Sequence, residues 1–383
     1  MLFAIAVVWL GYVYVGYFVI LKLLSVLRPV KPEIDEGLVP GVSVLISARN
    51  EEKDIGWKAL ETLDWDYPKD RLEVLIASDA SEDRTDEILQ QMKDPRLIFV
   101  RMEKRSGKNL ALNRLAQLAK GELLFFTDAN SHIAPGCLRK LVRHFADPRV
   151  GCVTGETHLV PEIEHSVIEG GAGAYGGYES AIKRLESRIG SVLACDGAIF
   201  AMRRSLFGPL VAELANDLEL PLKIAAAGYW VLLEPEALVL ERDTSSPRES
   251  FKQRRRISAQ GALAMWRLRS TLGGLRGWQF VSRKFLRWLT LIPMALALLA
   301  SAMLARDPFF AAILGFQVIF YAAAFAGLIL AASGRSGGRL VSVPLYVLLG
   351  GASTLAGVID ACRGRGFAVW EIPTLSRGGK VAT

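Results

Sequence analysis

Four long stretches without a charged residue dictate what this chain can become. Residues 1–21 carry no charge, Lys22 being the first. Residues 288–305 form an 18-residue uncharged run between Arg287 and Arg306, residues 308–334 a third, and residues 340–359 a fourth. A helix that crosses a bilayer needs about 20 apolar residues, whereas a buried core helix is shorter and keeps a polar stripe. The expected organisation is an N-terminal transmembrane helix at 1–27 and three C-terminal transmembrane helices within 288–360. Composition shows the same division. Mean hydropathy is +0.28 with 51% hydrophobic residues, yet 22% of residues are charged. Disorder and a small disulfide-stapled scaffold are both excluded, and very apolar segments are joined to a water-soluble part.

The first run has no basic region ahead of it and no clean small-x-small site after it, so it reads as an anchor, not a cleaved signal. Its basic residues follow it: Lys22, Arg28 and Lys31. The positive-inside rule then places the next domain in the cytoplasm. Arg283, Lys284 and Arg287 agree, as do Arg335 and Arg339. The basic tail at 361–383, with Arg363, Arg365, Arg377 and Lys380, does not agree, because four spans that start outside also end outside. Either the rule fails there or one run re-enters. Residues 270–287 mix Trp278, Phe280, Phe285 and Leu286 with Arg276, Arg283, Lys284 and Arg287. That mixture predicts an amphipathic interfacial helix on the headgroups, a plain linker being the alternative.

Between the apolar segments, over roughly 35–268, short apolar runs alternate with amphipathic stretches. Strands are expected at 42–47, 72–78, 97–101, 122–128 and 150–156. Helices are expected at 51–63, 81–92 (with Ser81 as N-cap), 108–119 and 135–146. This alternation predicts an α/β domain with a mainly parallel, Rossmann-like sheet, whose ligands sit beyond the carboxyl ends of the strands. No GxGxxG follows the first strand, so the sequence does not point to a nicotinamide or flavin site. Three strand ends instead carry carboxylates: Glu51, Asp79 and Asp128. Three such groups on one rim repel unless cations or hydrogen-bond donors lie among them. Cys137, Cys152, Cys195 and Cys362 form no CxxC pair and the four His have no ligand spacing. The stretch 168–180 holds five Gly and reads as a flexible segment near the site or a plain loop.

The runs VSVLISARNEE (42–52), ASDASEDRTDEI (77–88), GKNLALN (107–113) and FFTDAN (125–130) resemble the nucleotide-binding half of family-2 glycosyltransferases with a GT-A fold. CDGAIFAMRRSLF (195–207), NDLELPLKIAAAGYWVLLEPEA (216–237) and QRRRI (253–257) resemble their acceptor half. The flanking apolar regions resemble the membrane-embedded members, among them polysaccharide synthases and glycolipid-forming transferases.

The resemblance implies roles. Glu51 and Asp79 accept hydrogen bonds from the base and ribose of a nucleotide sugar, and Lys108 meets the nucleotide or its diphosphate. Asp128 and Asn130 occupy the place of a DxD motif, which coordinates Mg²⁺ or Mn²⁺ against the diphosphate. Hard cations take oxygen ligands, so an Asn there can ligate but brings no charge. Asn216-Asp217 stands where the family carries an ED or DD pair, which makes Asp217 the catalytic base, with Glu219 a weaker candidate. General-base help of this kind is typically worth about 10²–10⁴ in rate. Gln253 and Arg256 match a QxxRW motif in which Ile257 replaces Trp. Arg256 is expected to hold the departing diphosphate, the alternative for Arg254, Arg255 and Arg256 being a patch facing anionic lipid. Gly197, Ala198 and Gln253 are expected on the acceptor side, where small residues allow close approach.

The expectation is an inverting, metal-dependent glycosyltransferase, integral to a bacterial inner membrane, with its catalytic domain cytoplasmic. It would move a sugar from a nucleotide-sugar donor, a UDP-sugar being expected, to a membrane-associated lipid or lipid-linked glycan. The absent Trp argues against the alternative, a processive polysaccharide synthase. A non-catalytic nucleotide-sugar-binding scaffold is a third reading, but it needs no base. The net charge of +7 does not suggest nucleic acid, because the basic residues cluster beside the apolar runs.

Overall fold

The computed structural model describes residues 1–160, 169–242, 247–333, 335, 337–365 and 367. His165 and the tail residues Arg377 and Lys380 lie outside the described residues. Helix α1 (Leu2–Leu27) comes first, with a π turn at Tyr12–Gly16. Then follow β1 (Val42–Ala48), α2 (Ile55–Leu63), β2 (Leu72–Ser78), α3 (Thr85–Gln91), β3 (Leu97–Arg101), α4 (Lys108–Leu118) and β4 (Leu123–Asp128). The chain continues through β5 (His132–Ile133), α5 (Cys137–Val142), β6 (Val150–Val160), α6 (Glu169–Arg188), β7 (Phe200–Arg203), α7 (Asn216–Ala226), β8 (Trp230–Arg242) and α8 (Pro247–Arg267). Last come α9 (Gly274–Trp288), α10 (Leu291–Met303), α11 (Pro308–Ala332) and α12 (Arg339–Cys362).

The eight strands form one sheet in the order β3-β2-β1-β4-β7-β6-β8-β5. The first four are mutually parallel, as the strand–helix alternation predicts. The second half is mixed: β7 runs antiparallel to β4 and β6, β8 parallel to β6, and β5 antiparallel to β8. Val44, Leu45 and Ile46 of β1 are all buried because both sheet faces are covered. Ile55, Ala59 and Leu141 pack on one face, and Leu112, Leu115 and Leu220 on the other. Register places Ala48 opposite Ser78 and Ser47 opposite Asp128, so β1, β2 and β4 end at one rim.

Two expectations need correction. Ser81 does not cap a helix: α3 begins at Thr85, where Asp83 accepts the Thr85 N–H at 3.0 Å, and Ser81 bonds Ser78 and the Asn50 N–H instead. The glycine-rich stretch is not a loop but the first half of α6. Its second half holds the helix in place, with Ile182 and Leu185 packed on Tyr17 and Leu21 of α1. Tertiary packing of that half outweighs the low helix propensity of glycine.

The run at 288–305 is bent. Three helices, α1, α11 and α12, are long and apolar enough to cross a membrane, while α9 and α10 reach that length only together and meet at 56°. The elbow falls at Leu289 and Thr290, inside the uncharged run, where the Thr290 hydroxyl donates to the Arg287 carbonyl at 2.6 Å. The basic face of α9 turns toward the protein. Arg283 is buried and donates to Glu186 and, at 2.9 Å, to Glu179 of α6. Arg276 donates to the Ala225 carbonyl at 2.7 Å.

Helix α12 ends against α8. Gly357 has no room for a Cβ beside the Arg255 carbonyl and the Ser258 hydroxyl. Asp360 accepts two bonds from Arg255, at 2.5 and 2.9 Å. Arg363 and Arg365 therefore lie on the side of the α/β unit.

Candidate active site

Three loops leave the rim where β1, β2 and β4 end. In two of them a non-glycine residue takes positive φ, Asn50 at 52° and Ala80 at 53°. Such strain persists only where surroundings over-determine it. Here the two loops hold each other. Arg49 donates to the carbonyls of Asp79 at 2.9 Å and Ala80 at 2.5 Å. The Asn50 side chain accepts the Glu82 N–H at 2.9 Å, and the Glu51 N–H reaches Thr85 at 2.8 Å. Glu51 and Asp79 are both buried. The Asp79 carboxylate accepts the N–H groups of Ser106 and Gly107, at 2.6 and 2.8 Å. It thereby shapes the turn before α4, in which Gly107 has φ 92°.

That turn delivers Lys108 to the rim, where its ammonium meets Asp128 at 2.5 Å. The next residue fixes the other side of the cleft. Asn109 donates to the carbonyls of Val211 and Leu214, at 2.6 and 2.8 Å, just before α7 begins with Asn216 and Asp217. Asp217 faces Gly197: a Cβ added there would stand 3.6 Å from its carboxylate. Ala198 beside it is buried. Arg256, on α8, interacts with both Asp217 and Asp128. The structure thus brings Lys108, Asp128, Asp217, Gly197 and Arg256 to one cleft.

Electrostatics mark the same cluster. Burial raises the Asp217 carboxyl above its ordinary value; Lys108, Lys284 and Lys183 oppose that rise, and Asp196 adds to it. Burial pulls the Arg256 guanidinium down to about 10, against the opposing pull of Asp217 and Asp128. Glu219 does not compete for the role of base: it is buried, paired with Lys223 at 2.6 Å, and accepts the Val211 N–H. Asp196 has a structural use, accepting the Thr157 hydroxyl at 2.5 Å and its N–H at 3.1 Å. Gln253 is exposed on α8. The other two arginines of its run face protein: Arg254 lies 4.3 Å over the Tyr346 ring, and Arg255 pairs with Asp360.

Residues not singled out in the sequence also build the site. Lys58 is buried and donates to the Ser131 carbonyl at 2.6 Å, holding the loop just past Asn130. His132 stacks on Trp57, with ring centroids 3.9 Å apart. The signal for Lys58 was its place three residues after Ile55 on the apolar face of α2. Arg49 stood in the quoted motif but gave no sign of its role as a tie between loops.

For a divalent cation the donors at the end of β4 are one carboxylate, Asp128, and one amide, Asn130. Among the described residues no group of three or more His, Cys, Asp or Glu could hold a metal alone. The side chain of Asp128 remains 34% exposed, which suits a hard cation completed by phosphate oxygens and water. The residues present fit such an ion.

Residues 43–208 match glycosyl transferase family 2. A β-monoglucosyldiacylglycerol synthase from Synechocystis sp. is 36% identical over 118 residues, 30% of this chain and 25% of that protein. A poly-β-1,6-N-acetyl-D-glucosamine synthase from Staphylococcus aureus is 26% identical over 223 residues, 54% of this chain and 51% of that protein. The chain thus spans between a quarter and about half of these relatives. Among solved structures, a mannosyltransferase from Pyrobaculum calidifontis in complex with GDP-Man and Mn²⁺ superposes with a TM-score of 0.70 and 23% identity. The match covers 93% of this chain and 99% of that one. That likeness shows the GT-A fold. Sheet, rim and sequence agree: residues 43–208 are similar to glycosyl transferase family 2 and lie beside helices apolar enough to cross a membrane.

Proposed function

We propose that this chain transfers a sugar, with inversion, from a nucleoside-diphosphate sugar to a lipid or lipid-linked glycan at a membrane surface. The observation that carries the reading is the cleft itself: a carboxylate with a raised pKa, Asp217, shares it with Asp128, Lys108 and Arg256. Asp217 takes the proton from an acceptor hydroxyl as that oxygen attacks the anomeric carbon, opposite the departing diphosphate. The open face of Gly197 leaves space for the hydroxyl. Arg256 and Lys108 offset the charge that develops on the leaving diphosphate. Glu51 and Asp79 line the rim where base and ribose lie. A divalent ion held by Asp128, with the Asn130 oxygen, would supply further positive charge at the diphosphate.

The glucosyldiacylglycerol relative supports a lipid acceptor. A second reading, a processive polysaccharide synthase, draws on the Staphylococcus relative. Purified protein incubated with a panel of UDP- and GDP-sugars, lipid extract and Mg²⁺ or Mn²⁺ separates them. Single-sugar, lipid-extractable product supports the transferase, a ladder of lengths the synthase, and no sugar transfer from any donor overturns both.

The catalytic unit faces the cytoplasm in this proposal, with Lys22, Arg28 and Lys31 on that side. Because α12 ends against α8, Arg363 and Arg365 join them. The bent pair α9–α10 then re-enters, leaving three spans, and Arg335 and Arg339 fall on the opposite side. That placement differs from the one expected of Arg335 and Arg339.

A further inference from the structure

A cavity of about 200 Å³ lies between the α9–α10 elbow, α1, α8 and α12. Arg254, Arg283, Lys284 and Arg287 line it, against one carboxylate, Glu179. That carboxylate is already shared by two of the cations, Arg283 and Arg287. Arg254 and Lys284 form no ion pair within 4 Å among the described residues, although Lys284 is attracted by Glu179 and Asp217. Two cations without a close ion pair in a partly enclosed, apolar-walled space are costly unless an anion completes them. The local backbone fits this: Arg283 and Lys284 sit in a π turn, Val281–Phe285, a distortion that often accompanies function.

The remaining wall says what kind of anion fits. Tyr14, Trp288, Tyr346 and Val347 come from the elbow and from two helices long and apolar enough to cross a membrane. Tyrosine and tryptophan favour the depth of lipid headgroups. Ile257 and Ser258 also line the cavity, directly after Arg256 of the cleft. Lys284 is one of the cations that act on Asp217, so cavity and cleft are electrostatic neighbours.

We propose that this cavity binds the phosphate of a lipid, through Lys284 and Arg254, and so makes the acceptor an anionic lipid instead of a neutral one. This rests on the transferase reading and narrows its acceptor class. Phosphate accepts charge-assisted bonds from both cations while its chains leave along the apolar wall.

The test uses the full-length protein in neutral detergent and reads binding by native mass spectrometry. Three probes are titrated: dioctanoyl phosphatidic acid, dioctanoylglycerol and inorganic phosphate. Phosphatidic acid is expected to bind at least about tenfold more tightly than either of the others. Lys284→Met combined with Arg254→Gln is expected to lose at least about tenfold for phosphatidic acid and to leave dioctanoylglycerol unchanged. An unfolding temperature close to that of the unaltered protein shows that the loss is local, and Lys284→Met alone decides if the double variant does not fold. Equal binding of the two lipids overturns the proposal. So does inorganic phosphate binding as tightly as the lipid, or a variant that keeps its affinity. The same samples are titrated with UDP and GDP. Lipid binding without nucleotide binding would leave the cavity standing and bring down the transferase reading; nucleotide binding without lipid preference would do the reverse.

Discussion

At Asp217, burial and nearby cations act in opposite directions, and burial prevails. A base must be deprotonated to work, so kcat/KM should fall with acid at a pH above that of an ordinary carboxylate. Lys108 lowers the Asp217 pKa, so Lys108→Met should move that acid limb to higher pH. A pH profile of kcat/KM measures both, and a limb unmoved by Lys108→Met would remove Asp217 as the titrating group. Asp128 and Asp217 were legible in the sequence because each stands in a motif of fixed spacing. The ties that Lys58 and Arg49 make to neighbouring loops were not, because no sequence pattern announces the main-chain carbonyls they reach. Lys58→Met should lower nucleotide affinity, measured by calorimetry, because the loop beyond Asn130 loses its anchor. Unchanged affinity would show that the loop holds its shape without it.

Among the elements, α6 joins the α/β unit to the apolar helices. The Tyr17 hydroxyl of α1 and Arg283 of α9 both bond Glu186, while Glu179 takes Arg283 and Arg287. The two π turns face each other across this joint, with Tyr12 2.6 Å from Ser282 and 2.9 Å from Trp278. Removing one partner of a buried pair leaves the other charge without compensation, typically at a cost of about 3–5 kcal/mol. Arg283→Met should therefore lower the unfolding temperature clearly, and a change of only a degree or so would show that the clamp contributes little. None of this was legible. The parallel half of the sheet followed from alternation and the apolar runs from counting charge. The glycines of α6 pointed to a loop, because the contacts that hold its second half lie far away in sequence.

For the whole molecule, sidedness has a built-in reporter. Cys137, Cys152 and Cys195 are buried, whereas Cys362 is exposed at the end of α12. Since α12 docks on α8, a membrane-impermeant maleimide should label the protein in inside-out vesicles and not in right-side-out ones. Labelling only in right-side-out vesicles would place the catalytic unit outside. The sequence left open whether one apolar run re-enters. It could not show that an uncharged stretch contains an elbow or which side the last helix reaches, since both depend on contacts with α8 and α1.

In the proposed reaction, nucleotide sugar and base meet in one cleft. Donor affinity by calorimetry, set beside turnover, tests it in Asp217→Asn and Asp128→Asn. Asp217→Asn should bind nucleotide as the unaltered protein does and lose at least about 10²-fold in turnover, while Asp128→Asn should lose nucleotide affinity in the presence of Mn²⁺. Turnover surviving in Asp217→Asn, or nucleotide affinity undiminished in Asp128→Asn, would contradict it.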